Sequence, residues 1–490
     1  MSIDSVEYPS AVELIRCIIS KPNDLAATRV SVDANSIINF DFRENLYAPF
    51  VGGTLTISDS SNFVNDYPIS GGENIEMVVK SSFSDEEIVH KLVVNNVEAR
   101  ILPDDKKQLY VLKLVSKELM INEQCKVEKK LKGKIDEIIN DLLRNYLNTS
   151  KEFFSEKSKN KITKVPSETD YRPFDIISEI ITKFIPDVGK EKKDRIKNFN
   201  KKASNKNKIG GTAGAFFWET RRGYNLFTAD ALCDIDPEGK FAKGKLVMGV
   251  HGPYIEQTAN LDPAVPIDPR FNIKTIFFPI EVDVMKSLRS GKYSTKVIIF
   301  NLSTQEYEEV IYTLSDSWND MAHLGNQNSY DSIDFNPAGQ LVGFDTTSEI
   351  TRDMSFVIDH EAFFNEPQIA NPEDNSEPEN PTDSPELHKY FAAQSSARFD
   401  LLTNQQCVMK IHGNPFICAG DRVKIVLQAK VPDAVSKTVA IDIEGSGVYL
   451  VKEITHNYTF SEGTSGICET TLRLMRDAYG METEPSAHGT

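Results

Sequence analysis

Alternation with a period of two recurs near both ends of this 490-residue chain, and it restricts those parts to half-buried β-strands. In Gly53-Thr54-Leu55-Thr56-Ile57-Ser58, Leu55 and Ile57 share one face. In Gln108-Leu109-Tyr110-Val111-Leu112-Lys113-Leu114, Tyr110, Leu112 and Leu114 do the same. Pro68-Ile69-Ser70-Gly71-Gly72-Glu73 supplies a turn between them. His90 to Leu102 reads as a long strand ended at Pro103-Asp104-Asp105. The last third returns to the same period. Val282 to Val284, Thr295 to Leu302 and Val310 to Leu314 are strand candidates. Gln406 to Gly413 follows, broken by Asn414-Pro415. Asp421 to Leu427 then sets Val423, Ile425 and Leu427 on one face. Val448 to Phe460 and Ile467 to Met475 are split by a turn at Ser461-Glu462-Gly463-Thr464, and Cys468, Thr470, Leu472 and Leu474 alternate as a set. Such a meander suits a small closed barrel or a sandwich, because closure removes exposed strand edges.

The middle of the chain changes period. Ile135, Ile138, Ile139, Leu142, Leu143 and Tyr146 recur at three and four, which predicts a helix over 132–147. Asp136 and Glu137 sit in its first turn, where the helix dipole favours them. A second helix follows Pro173, with Phe174, Ile177, Ile181 and Phe184 as its apolar face and Pro186 as its stop. The bulky run Ala215-Phe216-Phe217-Trp218-Glu219-Thr220 precedes Gly223-Tyr224-Asn225-Leu226-Phe227. Core packing is the expectation for its aromatic stripe. Trp318, in an Asp/Ser/Asn-rich stretch, reads either as a capped corner or as an exposed anchor.

Two segments read as excursions. Residues 189–208 hold nine Lys or Arg and read as a solvated loop, with a basic contact patch as the alternative. Residues 365–386 hold five Pro, seven Asp or Glu and no basic residue, the composition of a linker. The net charge of −17 argues against nonspecific binding to a nucleic-acid backbone, which needs clustered cations. Cys17, Cys125, Cys233, Cys407, Cys418 and Cys468 form no C-x-x-C pair, so free thiols in a chain made in a reducing cytoplasm are expected rather than a zinc site. No secretory signal and no apolar run near the roughly 20 residues of a membrane span is visible.

Signatures of chemistry are sparse. The G-x-S-x-G elbow and the Walker loop are absent. Gly210-Gly211-Thr212-Ala213-Gly214 lacks the Lys-Ser/Thr ending of a phosphate loop, and His360-Glu361 lacks the second His of a zincin. The eight histidines are never closer than 24 residues in sequence. The 72 acidic residues always offer some suggestive carboxylate pair for glycan hydrolysis, but no segment has a glycosidase pattern. The expectation is no enzyme: no catalytic, cofactor-binding or metal-binding residue, and no cofactor.

Several stretches, in order along the chain, carry a resemblance. The helix entry Asp170-Tyr171-Arg172-Pro173-Phe174-Asp175 with Ala215 to Thr220 and its Gly-bearing turn resembles the central α/β module of tail hub proteins. Phe42 to Phe50 followed by Gly52 to Ser60, and Pro68 to Glu73, resemble the opening of phage baseplate hub proteins. Leu288-Arg289-Ser290-Gly291-Lys292-Tyr293 with Val297 to Phe300 resembles the start of their second barrel. Gly447 to Val451 and Leu472 to Gly480 resemble its end. Together these span most of residues 1–480, and the superfamily includes the hub portion of type VI secretion spike proteins.

The resemblance implies a mainly β fold, α+β overall, with two tube-type β-barrels, an α/β module between them and a loop-rich insertion in the second barrel. The implied organisation is a first barrel over 1–125, the middle module over 126–270, a second barrel over 271–318 and 396–480, an insertion over 319–395 and a polar tail over 481–490. It also implies a homotrimer whose six barrels form a ring in the virion's tail baseplate. That ring would join a threefold central spike to the sixfold tail tube, with wedge and tape measure proteins as further partners. DNA would pass its acidic bore without specific binding, and no membrane insertion is expected. The short tail after Tyr479-Gly480 favours a separate spike partner over a fused one. The alternatives are the hub of a type VI-like or other contractile injection system, and a tail-associated cell-wall hydrolase or glycan-binding protein.

Overall fold

The computed structural model describes residues 8–22, 29–60, 66–104, 107–159, 161–166, 171–187, 212–234, 240–242, 245–256, 268–280, 284–302, 305–314, 318, 321–325, 352–358, 385–430, 441–462, 465–478 and 480. The Lys-rich segment 189–208, the tail 481–490, His360-Glu361, most of 319–395 and all of 365–386 but Pro385 and Glu386 lie outside them. The described chain is mainly β, and one sheet holds thirteen strands.

The N-terminal part supplies β1 (Ala11–Ser20), β2 (Arg29–Ser31), β3 (Ile37–Asn45), β4 (Gly52–Asp59), β5 (Asn74–Ser81), β6 (Ser84–Asp104) and β7 (Lys107–Val115). The middle supplies β8 (Leu131–Lys134), β9 (Phe153–Ser155), β10 (Lys161–Lys164), β11 (Ala215–Thr220), β12 (Gly223–Thr228), β13 (Lys240–Ala242), β14 (Lys245–Met248) and β15 (Val250–Glu256). The rest supplies β16 (Asn272–Ile280), β17 (Ser294–Asn301), β18 (Glu306–Thr313), β19 (Arg352–Ile358), β20 (Gln405–His412), β21 (Arg422–Val426), β22 (Gly447–Glu462) and β23 (Ser465–Arg476). The helices used below are α1 (Lys117–Gln124), α2 (Ile135–Asp141), α3 (Pro173–Ile180), α4 (Ala229–Cys233), α5 (Val284–Ser290) and α6 (Pro385–Leu402).

The pairings of the large sheet close two circuits. The first runs β1–β5–β6–β7–β4–β3–β22–β23 and returns to β1, antiparallel throughout. The second runs β22–β23–β20–β16–β15–β21 and returns to β22, with β15 parallel to both of its neighbours. Both circuits contain the β22–β23 hairpin. At 16 residues, β22 is roughly 50 Å long, enough to serve both. Its first residues, Gly447 to Leu450, pair with β21, and Glu453 to Thr459 pair with β3. The register against β23 shifts between Val451 and Glu453, where the partner changes. A bulge bends and twists a strand, which is what passing from one closed ring into the next requires.

Each circuit has its own apolar core. Leu14, Phe40, Leu55, Ile57 and Leu112 fill the first, joined by Tyr458, Phe460 and Cys468 from the hairpin tip. Tyr254, Met409, Ile411, Ile425 and Tyr449 fill the second, joined by Ile454, Leu472 and Leu474 from the hairpin's other half. The alternation read from the sequence is therefore real on both halves, but it serves two different interiors.

The middle of the chain packs against the second core through β11. All six residues of β11 are buried, as are all six of β12. Phe216 and Trp218 point into the second core, whereas Ala215 and Phe217 point into a third core with Ile139, Leu142, Phe174, Ile177, Tyr224 and Leu226. The first four residues of the strand are apolar without interruption because both of its faces are covered. Trp218 donates from Nε1 to the Ala419 carbonyl at 2.9 Å. The neighbouring Gly420 has φ +87°, and a Cβ there would lie 2.4 Å from Trp218 Cζ2, so only glycine fits.

Several expectations need correction. β6 starts at Ser84 and runs through Pro103 to Asp104; Pro103 sits in a register break between Ile101 and Asp104, where no ladder N–H is required of it. The helix expected over 132–147 starts at Ile135, because Leu131–Lys134 pair with β10 as strand β8. α3 and its last turn end at Lys183, and Pro186 bridges Ser158 rather than stopping the helix. Val284 opens α5, not a strand, while 282 and 283 lie outside the described residues. β17 and β18 stay out of the large sheet and pair with β19 in a three-stranded sheet of their own. That sheet lies on α6 through Val297, Tyr312, Ala393 and Ala397. β15, from the stretch expected to belong to the middle module, joins the second circuit.

Candidate functional site

The sequence offers contacts rather than chemistry, and the structure concentrates its buried charges where the two circuits and the middle of the chain meet. Three clusters form there. In the first, Glu44 of β3 is 1% exposed and accepts from the backbone N–H of Arg221 at 2.6 Å and of Ala419 at 2.8 Å. One carboxylate thus ties the first circuit to the β11–β12 turn and to the second circuit. Burial pushes its pKa up to about 7 against the pull of those hydrogen bonds. The next residue of the turn, Arg222, forks onto both oxygens of Asp421 at 2.8 Å and also donates to the Phe416 carbonyl at 2.7 Å. Asp421 accepts further from His251 Nε2 at 2.9 Å and from Cys418 N at 3.0 Å. Burial alone would raise its pKa, but Arg222 and His251 hold it well below the usual carboxylate range.

The second cluster joins α4, α6 and the end of β23. Arg398 of α6, fully buried, donates to Asp477 at 2.8 Å and lies 3.2 Å from Asp230 of α4. It also donates to the Ala322 carbonyl at 2.6 Å. His323 sets Nδ1 2.8 Å from Asp477 and Nε2 3.0 Å from the Trp318 carbonyl. Both ring nitrogens thus lie within hydrogen-bond distance of an oxygen. Trp318 is 3% exposed and stacks on His323 with 4.0 Å between ring centroids, so it is a buried corner and not an exposed anchor. Burial opposes ionisation of Asp477, yet His323 and Arg398 bring its pKa well down.

The third cluster lies at the rim of the first circuit. Lys151 bridges Glu118 of α1 and Glu219 of β11, and Glu219 also accepts from Val51 N at 3.3 Å. Thr149 donates to Glu118 at 2.6 Å. Burial opposes ionisation at Glu118, but Lys151 brings its pKa down; at Glu219 burial prevails and the pKa goes up.

These groups pair mostly with one another and with the backbone, although Arg398 Nε is buried without a hydrogen-bond partner. Among the described residues, no group of three His, Cys, Asp or Glu side chains is placed to hold a metal ion. All six cysteines are free thiols, and burial pushes Cys17 and Cys407 up to about 12, far from the thiolate form that reacts. Of the glycine-rich run, Thr212 to Gly214 are described: Thr212 donates twice to Asp230, at 2.7 and 2.8 Å, so this part of the run binds a buried carboxylate. Sequence reading missed Glu44, Arg222, Arg398, Asp421 and Asp477. Apart from Cys418 beside Asp421, the partners named above lie 76 to 375 residues away, as in Arg398 to Ala322 and Glu44 to Ala419. The available signal was a charge set among apolar residues, as in Phe216-Phe217-Trp218-Glu219 and Thr228-Ala229-Asp230-Ala231-Leu232.

No family model matches the chain, and no curated protein does. Solved structures do. One is the tail protein from Neisseria meningitidis MC58, at 11% identity and a TM-score of 0.47, covering 94% of this chain and 97% of that one. A second is the 43 kDa tail protein of prophage MuSo2 from Shewanella oneidensis, at 9% identity and a TM-score of 0.44, covering 96% and 99%. A third is an E. coli component of the type VI secretion system, described as structurally similar to bacteriophage T4 tail proteins, at 7% identity and a TM-score of 0.39, covering 96% and 79%. The chain is similar to phage tail proteins and to components of type VI secretion systems.

Proposed function

We propose that this protein is a structural hub of a phage tail baseplate, and that its work is to hold shape rather than to catalyse. One observation carries the reading: two closed strand circuits share a single hairpin, so one chain holds two ring-like units joined through common strands. Read as two tube-type barrels with an α/β module seated against them through β11, three chains supply six barrels. A threefold spike then meets a sixfold tube without any change of subunit. A heterologous contact that closes on itself is the interface this requires. The ordered motifs from Phe42 to Gly480 support the same reading. The spike binds one side of the ring and the tube the other, with wedge and tape measure proteins as further contacts. The net charge of −17 supports a bore that passes DNA without holding its phosphates.

Light scattering on the full chain at several concentrations, alone and with the cognate spike, tests the reading. The expected particle has three times the chain mass of 55.0 kDa, and images of it show six lobes around an open centre. A dimer, or a trimer with three lobes and no bore, overturns it. A bore lined with Lys and Arg overturns the electrostatic part.

A further inference from the structure

One cleft lies apart from the clusters described above. It opens where the end of α5 meets the end of α6 and the start of β20, and its lining includes Lys286, Ser287, Lys292, Asp400, Thr403 and Asn404. Lys292 is 2% exposed, and its ammonium donates to Asn404 Oδ1. The ammonium also lies 5.5 Å from the centroid of the Tyr293 ring. Among the described residues no carboxylate forms an ion pair with it; Asp400 and Asp477 attract it from farther off. An ammonium has three N–H donors. A buried cation that keeps only one neutral acceptor is costly, so this side chain calls for a further acceptor.

The surroundings hold Lys292 in place. Gly291 turns the chain at φ +76°, and a Cβ there would lie 2.8 Å from Arg352 Cβ. Lys292 N bonds to the Ser287 carbonyl at 3.1 Å, Thr295 Oγ1 donates to the Gly291 carbonyl at 2.9 Å, and Arg352 donates to the Ser290 carbonyl at 2.8 Å. Asn404 is oriented in turn, because its Nδ2 donates to the Asp477 carbonyl at 3.3 Å and leaves Oδ1 for the lysine. The ammonium is therefore fixed before any ligand arrives, which lowers the entropy lost on binding.

We propose that this cleft binds a single carboxylate group, held by the remaining donors of Lys292 and by the second positive charge of Lys286. The Ser287 hydroxyl offers a further donor. Asp400 on the wall opposes additional negative charge, so the site selects one compact monoanion over a polyanion such as a nucleic-acid backbone.

The test is thermal unfolding of the full chain in rising acetate against chloride at constant ionic strength. The expected result is a saturable rise in the midpoint with acetate and none with chloride. Lys292→Met abolishes the rise. Lys286→Ala raises the acetate concentration needed by about fivefold to tenfold, the loss expected for one charge-assisted contact. Asp400→Asn lowers that concentration. These two variants keep the test decisive even if Lys292→Met fails to fold. Affinity for acetate also falls as pH rises through about 8, where Lys292 loses its proton under burial, with Asp400 and Asp477 opposing and Lys286 adding to the shift. Equal response to acetate and chloride, or a saturable rise that survives in Lys292→Met, overturns the proposal. Native mass measured in parallel identifies the source of the group. If acetate lowers the mass, it competes with an acidic side chain of another copy; if the mass is unchanged, the site takes a free carboxylate.

Discussion

The two circuits share a hairpin but are secured by different means. In the first, β3 to β7 follow one another in sequence, and the core of Phe40, Leu55, Ile57 and Leu112 is apolar apart from a few buried groups such as His90. In the second, the strands come from two stretches of chain, 250–280 and 405–476, β15 is parallel to both neighbours, and buried charges stand at the perimeter: Arg222 on Asp421, and Arg398 between Asp230 and Asp477. Both rings close only through the β22–β23 hairpin, but most of the first is made of strands that follow one another in sequence. A ring built from remote segments gains from polar contacts that are satisfied in only one arrangement, because a mismatched buried charge is penalised heavily.

The contrast is broken most severely at Arg398. Arg398→Met leaves Asp477 and Asp230 buried without their cation and should cost about 3–5 kcal/mol. Both tryptophans, Trp218 and Trp318, lie on the side of the second circuit, so the urea midpoint followed by tryptophan fluorescence should fall further than that followed by circular dichroism. Equal falls would show that the circuits unfold as one unit. Leu55→Ala in the first core should cost about 2–5 kcal/mol through loss of packing, with the same cost at pH 5 and pH 8.

Glu44 sharpens the comparison through pH. Its folded pKa of about 7 exceeds the unfolded carboxylate value, so the folded state binds the extra proton. Its contribution is favourable below the unfolded pKa and is lost as pH rises to about 7, with a slope of at most roughly 1.4 kcal/mol per pH unit. Asp421 and Asp477 have the opposite sign: their folded pKa values are depressed, so their stabilisation is present above the unfolded value and disappears as pH falls through the folded one. Glu44→Gln should remove the loss between about pH 4.5 and 7 and leave the acid limb unchanged, as measured by urea unfolding across that range. The smallest effect belongs to the exposed pair of Arg16 and Glu76, 3.0 Å apart on the outside of the first circuit. Arg16→Ala should cost less than about 1 kcal/mol and nothing measurable in high salt.

Strand identity was legible in the sequence wherever one face is buried and the other wet, as at Tyr110, Leu112 and Leu114, or at Cys468, Thr470, Leu472 and Leu474. Partnership was not. Ala11 pairs with Ile467 across almost the whole chain, and alternation says which face is apolar but not which strand lies alongside. The shared hairpin was hidden for the same reason: Leu472 and Cys468 alternate in one unbroken pattern although they enter different cores. Val284 fits a short strand and a helix alike in the sequence, and it opens α5. The candidate site was almost invisible, because a buried Arg or Asp reads in sequence like any surface charge until its partner is known.

The position of the shared hairpin also sets an order of events in the cell. Gly447 to Arg476 is made after every other described strand, yet it supplies the closing partner of β1, β3, β20 and β21. Until those residues leave the ribosome, both rings are open troughs with unpaired edges, which are templates for aggregation. A chain cut short before Gly447 is left with neither ring closed and with the edges of β1, β3, β20 and β21 unpaired on that side.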